Sequence, residues 1–244
     1  MKATAAAQRS LLDLQTVDTN VTRVAHRLSH LPENAAIAAV VAERDALRGR
    51  LATELGVVED ARTELSRIES DATVVDTRIA RDTDRLSGSV SAKDATALES
   101  ELVSLRRRKE NLEDAELEVM ERLEAAEAAY GETATSDAAL RDRIAELEAA
   151  RDESRAGLER ELDALKASRE SVIATIEESL LSVYERSRSR SGFGAALFRA
   201  GTCGACTMTL TGNDFAAVRA AAADEVVLCP ECGAVLVRTE ESGL

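Results

Sequence analysis

Aromatic residues are nearly absent from this chain: 2% of 244 residues, with no Trp, two Tyr and three Phe. Large globular cores lean on such side chains, so their scarcity argues against one. Proline occurs only twice, which leaves long stretches free of the strongest helix breaker. No run approaches the roughly 20 apolar residues of a membrane span. The opening residues carry Gln8, Arg9 and Asp13 where a secretory leader would be apolar, so the expected location is cytoplasmic. Positive charge is in deficit, 31 Lys and Arg against 45 Asp and Glu, for a net charge of −14. That balance repels nucleic acid and anionic membranes at long range, although a local basic patch can override it. No glycine-rich nucleotide loop and no catalytic triad is present. His26 and His30 are four residues apart, but Arg27 stands where a His-Glu-x-x-His zinc motif needs Glu. No catalytic residue is assigned, and an enzyme is not expected.

Cysteine is also scarce, but its placement is specific. The only four form two Cys-x-x-Cys pairs, Cys203/Cys206 and Cys229/Cys232. Two such turns supply a tetrahedral S4 shell, which suits one structural Zn2+ per chain. A disulfide framework calls for a secretory route, and a redox Cys-x-x-Cys for a βαβ setting, so zinc is the favoured reading. In Cys229-Pro230-Glu231-Cys232-Gly233, Pro230 presets a turn and Gly233 allows the positive φ needed just past the second ligand. Strand-forming segments flank both turns, at 207–211, 226–228 and 234–237, and Ala195–Phe198 reads as a packing strand. The spacing between the pairs leaves room for a short helix within 213–224. Residues 193–244 are therefore expected to be a small β zinc ribbon, and an S4 shell leaves no open position for catalysis.

The rest of the chain is rich in Ala, Leu, Glu, Arg and Asp and carries heptads. Leu14, Val17, Val21, Val24, Leu28 and Leu31 alternate three and four residues apart, a narrow stripe that demands a partner helix. Pro32 ends that segment. A second seam runs from Ile37 to Leu86, interrupted by Arg44, Glu54 and Asp82. A break at 87–91 follows, with Ser91 as N-cap. A third seam runs from Leu98 to Val183. Helices are expected over about 1–31, 33–86 and 92–188, the last two roughly 80 and 140 Å long at 1.5 Å per residue. A short break between long helices makes them antiparallel neighbours. The expected fold is mainly α: a long antiparallel coiled-coil hairpin over 1–190 with its tip at 87–91. In it, helices 1 and 2 pack along helix 3, and the small ribbon is C-terminal. Counting residues outward from the tip places Arg44 opposite Asp137 and Gly49 opposite Gly131, with close helix approach or a bend expected at the glycines.

With hairpin, junction and knuckles in place, the chain resembles a bacterial family of coiled-coil hairpin proteins with a C-terminal C4-type zinc ribbon. The resemblance is carried by the junction 188–194, by Cys203/Cys206, by Cys229–Gly233, and by Gly88 and Ser91 at the tip. It implies a non-enzymatic zinc-ribbon adaptor that binds a protein partner through the arm, the ribbon surface or both. Some members of the family are implicated in RNA or DNA binding, which supplies the alternative. On that alternative, Arg186, Arg188, Arg190 and Arg199 contact phosphate while Phe193 or Phe198 stacks a base. Against it, residues 193–244 hold three arginines and six acids. The same six side chains are the candidate contact surface for a protein. The oligomeric state expected is monomer or dimer.

Overall fold

The computed structural model describes residues 1–243. Helix α1 spans Ala5–Ser29, α2 Pro32–Ser87, α3 Ala92–Ile173 and α4 Glu178–Ser191. A short helix, α5, covers Gly212–Ala220 among the strands β1 (Ala195–Arg199), β2 (Thr202–Cys203), β3 (Val227–Leu228) and β4 (Val235–Val237). A 3-10 turn at Glu240–Ser242 closes the described chain. No helix among the described residues is long and apolar enough to cross a membrane. The chain packs as two compact units, one of residues 35–149 and one of 1–34 with 150–244. The division expected from chain order, 1–190 and 193–244, differs from this because α1 and α4 share a core with the strands.

The unit of residues 35–149 is an antiparallel helical pair. Its buried positions are those of the heptad seam: Val58, Ala61, Ile68 and Val75 on α2, with Leu102, Leu105 and Val119 on α3. Such a stripe buries one face per helix and leaves the opposite face to charged residues. Ser91 caps α3, its hydroxyl accepting from the Asp94 amide at 3.4 Å. Ion pairs set the register along the flanks, including Arg62–Glu127, Arg122–Glu64 and Arg78–Glu101. Two polar interruptions of the seam, Arg44 and Asp82, are paired. Arg44 Nε donates to Asp137 at 2.9 Å, where the Asp137 side chain is only 10% exposed. Asp82, almost fully buried, is ringed by Arg78, Arg81 and Arg85 at 3.3–3.7 Å.

The helices do not approach closely at the glycines. A Cβ built at Gly49 or Gly131 would meet nothing within 4 Å, and both residues are exposed. They occupy outer positions of the same heptads that put Leu47, Leu51 and Tyr130 on the seam. Distance from the tip alone does not carry that facing. The seam near this level is instead polar: Thr133 is buried, and hydrogen bonds from Arg50 and Thr133 depress the Glu54 carboxyl.

In the other unit, α1 lies on β1, β4 and the later helices. Leu11, Leu14, Ile176, Leu180, Tyr184, Ala195, Val235 and Val237 form one buried core. A second, smaller core joins Val24, Leu31 and Leu158. The third helix does not continue to 188. It ends at Ile173 and helix resumes at Glu178. The stretch Val172, Ile173, Thr175, Ile176 is β-branched and weakly helical. There the backbone tightens, the amides of Thr175 and Ile176 donating to residues three back, and the Thr175 hydroxyl takes the Val172 carbonyl. Burial of Ile176, Leu180 and Tyr184 against α1 and the sheet outweighs the lost helical bonds.

Candidate metal centre and its surroundings

The four-stranded sheet runs in the order β2-β1-β4-β3. Strand β1 pairs antiparallel with β2 and parallel with β4, and β3 pairs antiparallel with β4. The expected strand at 207–211 is reduced to a bridge between Thr202 and Thr209. Each Cys-x-x-Cys turn closes on itself in the same way. Thr207 N–H donates to the Cys203 carbonyl and Gly233 N–H to the Cys229 carbonyl, both at 2.9 Å. The turns bring all four Sγ atoms within 4.8 Å of one another. Cys203 and Cys232 lie 3.8 Å apart, as do Cys206 and Cys229. Ligands on bonds near 2.3 Å in a tetrahedron stand about 3.8 Å apart, whereas a disulfide requires about 2.05 Å. The donor set therefore fits one structural Zn2+, which crosslinks the two hairpins and supplies no open position. Among the described residues no other His, Cys, Asp or Glu cluster has metal-site geometry.

The thiols are not equivalent. Burial raises Cys203 and pushes Cys232 up to about 12, whereas the Met208 amide lowers Cys206. Metal binding must displace the protons that burial retains, so zinc is held less firmly as pH falls.

Two glycines serve the knuckles. At Gly204 a Cβ would stand 2.8 Å from the Leu197 carbonyl oxygen, which the Gly204 amide needs at 3.0 Å. Gly233 has φ +77°, the left-handed region glycine tolerates. The equivalent place in the first knuckle holds Thr207 at φ +59°. A β-branched residue there costs roughly 1–2 kcal/mol. Thr207→Gly is therefore expected to stabilise the metal-loaded ribbon by about 1 kcal/mol, part of the strain relief being lost to greater freedom of the unfolded chain. Urea unfolding followed through hydrogen exchange of the ribbon amides measures it, and an unchanged or lower midpoint would refute it.

The second knuckle is seated on α4. The Ser187 hydroxyl donates to the Gly233 carbonyl at 2.7 Å, and the Arg190 guanidinium packs over Gly233 beside Cys232. Four thiolates around Zn2+ carry a net negative charge, and Arg190 places a cation on the residue that follows Cys232. The N-terminus is sewn on as well. The Ala3 amide donates to the Asp224 carbonyl, the Val226 amide to that of Met1, and Lys2 pairs with Asp224 at 2.9 Å. Arg238 donates to the carbonyls of Val218, Ala221, Ala222 and Glu225 at 2.6–3.3 Å, which fixes α5 and the loop after it.

Of the six candidate contact residues, the structure removes two from a free surface. Phe198 is fully buried with Cys203, Cys229 and Leu236, so it cannot stack a base. Arg188 pairs with Asp18 and Glu185 at 3.3 and 3.2 Å. That pairing belongs to a network the sequence did not reveal. Asp18, 3% exposed, accepts from Arg169 Nε at 2.6 Å and from the Tyr184 hydroxyl at 2.7 Å, while Arg169 also reaches Glu185. The Asp18 bond holds Arg169 firmly protonated, and burial, reinforced by Asp18, pushes the Tyr184 phenol well above its usual range. Gln15 Oε1 accepts from the Gly194 amide at 2.7 Å, joining α1 to the start of β1. Arg186 and Phe193 remain exposed, and Arg199 faces Glu241 at 4.0 Å with its side chain mostly in solvent. Heptad reading gives no sign of Asp18, because it lies just beside the apolar stripe.

A coiled-coil helical hairpin carrying a C4 zinc ribbon defines the class of protein. The chain belongs to the family of the CT398-like coiled coil hairpin domain, whose model matches residues 14–192, and a C4-type zinc ribbon domain matches 202–236. It is 42% identical to an uncharacterized Mycobacterium tuberculosis protein, Rv2229c, over 98% of each chain. A solved structure from Mycobacterium smegmatis is 35% identical, with a TM-score of 0.84, covering 98% of this chain and all of that one. CT398 from Chlamydia trachomatis shares the fold at 18% identity and a TM-score of 0.62, over 96% and 98% of the two chains. Neither matched family is a catalytic one.

Proposed function

We propose that this protein is a non-enzymatic, cytoplasmic adaptor that binds a protein partner through its coiled-coil arm, with the ribbon end as a second contact. The observation that carries the reading is the set of apolar side chains left in solvent on the helices of residues 35–149. Val74, Val103 and Leu117 are more than 60% exposed there although the seam is complete without them. They leave apolar surface available to a partner on faces that a self-contained pair fills with charged residues. The closed S4 shell supports the same reading by offering no site for chemistry. At the ribbon end, Arg186, Arg190, Phe193 and Arg199 are the proposed contacts.

The competing reading is nucleic-acid binding through that same end, and Arg186, exposed and without an ion pair among the described residues, speaks for it. Three exposed arginines, Arg186, Arg190 and Arg199, on a strongly acidic chain amount to a few phosphate contacts. Binding to RNA or DNA is therefore expected to be no tighter than the roughly 10 μM to 100 μM of weak non-specific association at physiological salt. Fluorescence anisotropy with single-stranded RNA and duplex DNA at 50 and 200 mM salt tests this. Submicromolar binding at 200 mM salt, lost on Arg186→Ala with Arg190→Ala, would replace the adaptor reading with the nucleic-acid one.

A further inference from the structure

We propose that the middle of the arm, around Leu117 and Met120 on α3, is a docking groove for a cationic amphipathic helix of a partner protein. The inference rests on the adaptor reading and assigns it a surface and a chemistry. Leu117 and Met120 are 61% and 48% exposed on a helix whose seam is already filled by Val119 and its neighbours. With half-buried Leu65 and Leu123 they floor a groove of about 330 Å3 between α2 and α3. The two side chains are three residues apart on one face, the spacing that receives the i, i+3, i+4 anchors of a docked helix. Methionine adds a flexible, polarisable contact that adapts to such anchors.

Charge selects the occupant. From Glu110 to Glu132 the only basic residue of α3 is Arg122, and it is engaged by Glu64 at 2.6 Å. Glu121 and Glu124 line the groove and Glu118 lies on the adjoining surface with Glu121; all three are exposed and make no ion pair among the described residues, while Glu127 on the rim is taken by Arg62. An apolar floor flanked by free carboxylates along α3 repels a second copy of itself, an anionic membrane and nucleic acid alike. It complements a helix with Leu-like anchors on one face and Lys or Arg beside them.

The test uses the full-length, zinc-loaded protein and a fluorescein-labelled 18-residue Leu/Lys peptide that folds with one apolar face. A second peptide of the same composition, permuted so that no face forms, is the control. The wild type is expected to bind the amphipathic peptide at least about tenfold more tightly than the permuted one, since only the former presents its anchors together. Leu117→Ser with Met120→Ser leaves the charge unchanged and is expected to lose about tenfold in affinity, the consequence of removing two apolar contacts. Glu118→Gln, Glu121→Gln and Glu124→Gln together are expected to lose a similar factor at low salt, and much less at 0.5 M. The same charge change made at Asp142, Glu148 and Glu153 is expected to alter affinity less than about twofold. Because every altered side chain is exposed, helicity should not change. Equal affinity for both peptides, equal losses from both sets of amide variants, or no loss in the serine variant overturns the groove. So does concentration-dependent dimerisation that the serine variant abolishes, because the face would then belong to a second copy. Each of these failures leaves the adaptor reading in place, since that reading is tested separately by nucleic-acid binding.

Discussion

Removing zinc, or replacing Cys229 with serine, is expected to unfold the ribbon and loosen the helices packed on it, while residues 35–149 remain helical. The strands are two to five residues long, and the inner ribbon core contains Cys203 and Cys229 themselves. A β unit of this size seldom folds on apolar burial alone. In zinc-finger peptides the metal contributes on the order of 10–16 kcal/mol, far more than such a core supplies. The damage should spread, because Ala195, Val235 and Val237 share a core with Leu11, Leu14, Leu180 and Tyr184. α1 and α4 are therefore expected to lose protection with the ribbon. The far-ultraviolet helical signal should keep most of its amplitude, since α2 and α3 hold 56 and 82 residues. Hydrogen exchange before and after chelation measures this region by region. Ribbon amides that stay protected with less than half an equivalent of zinc would contradict it.

The second large effect is expected from Asp18→Ala. This carboxylate is buried and takes hydrogen bonds from Arg169 and Tyr184, with Arg188 within 3.3 Å. Removing one partner of a buried ionic network typically costs 3–5 kcal/mol, because the remaining charges stay desolvated. The guanidinium groups here keep Glu185, and the Arg169 and Arg188 side chains are 23% and 36% exposed. The expected loss is therefore at the low end, about 3 kcal/mol. Tyr184→Phe removes one hydrogen bond from the same carboxylate and is expected to cost about 1–2 kcal/mol. Denaturant titration read through exchange of the β1 and β4 amides compares the two. An Asp18→Ala loss no larger than that of Tyr184→Phe would show that the network contributes little.

Much of this architecture was legible because two of its rules are local. A three-four alternation fixes which face of a helix is buried, and Val58, Ala61, Ile68, Val75 and Val119 lie on the face it assigned. Two Cys-x-x-Cys turns fix a donor set wherever the chain carries them. Arg44 and Asp137 were also found in register, since both lie on the seam. Gly49 and Gly131 were misplaced because their heptad positions point outward. What escaped depends on contacts between distant segments. The β-branched stretch at 172–176 keeps the helical period while the chain leaves the helix, since burial of Ile176 decides its path. Phe198 alternates along β1 into the inner core, but the sequence does not say which face of so short a strand is inner. Residues 1–3 carry no strand signal, yet they pair with 224–226. The Asp18 network joins α1, α3 and α4, and no single segment announces it.

The adaptor account is tested most directly by photo-crosslinking in cells, with a photoreactive amino acid placed at Leu117, at Val103, or at Phe193 beside the arginine junction. The account predicts discrete adducts from the arm positions that protease destroys and nuclease leaves intact. Adducts confined to the junction position and removed by nuclease would contradict it.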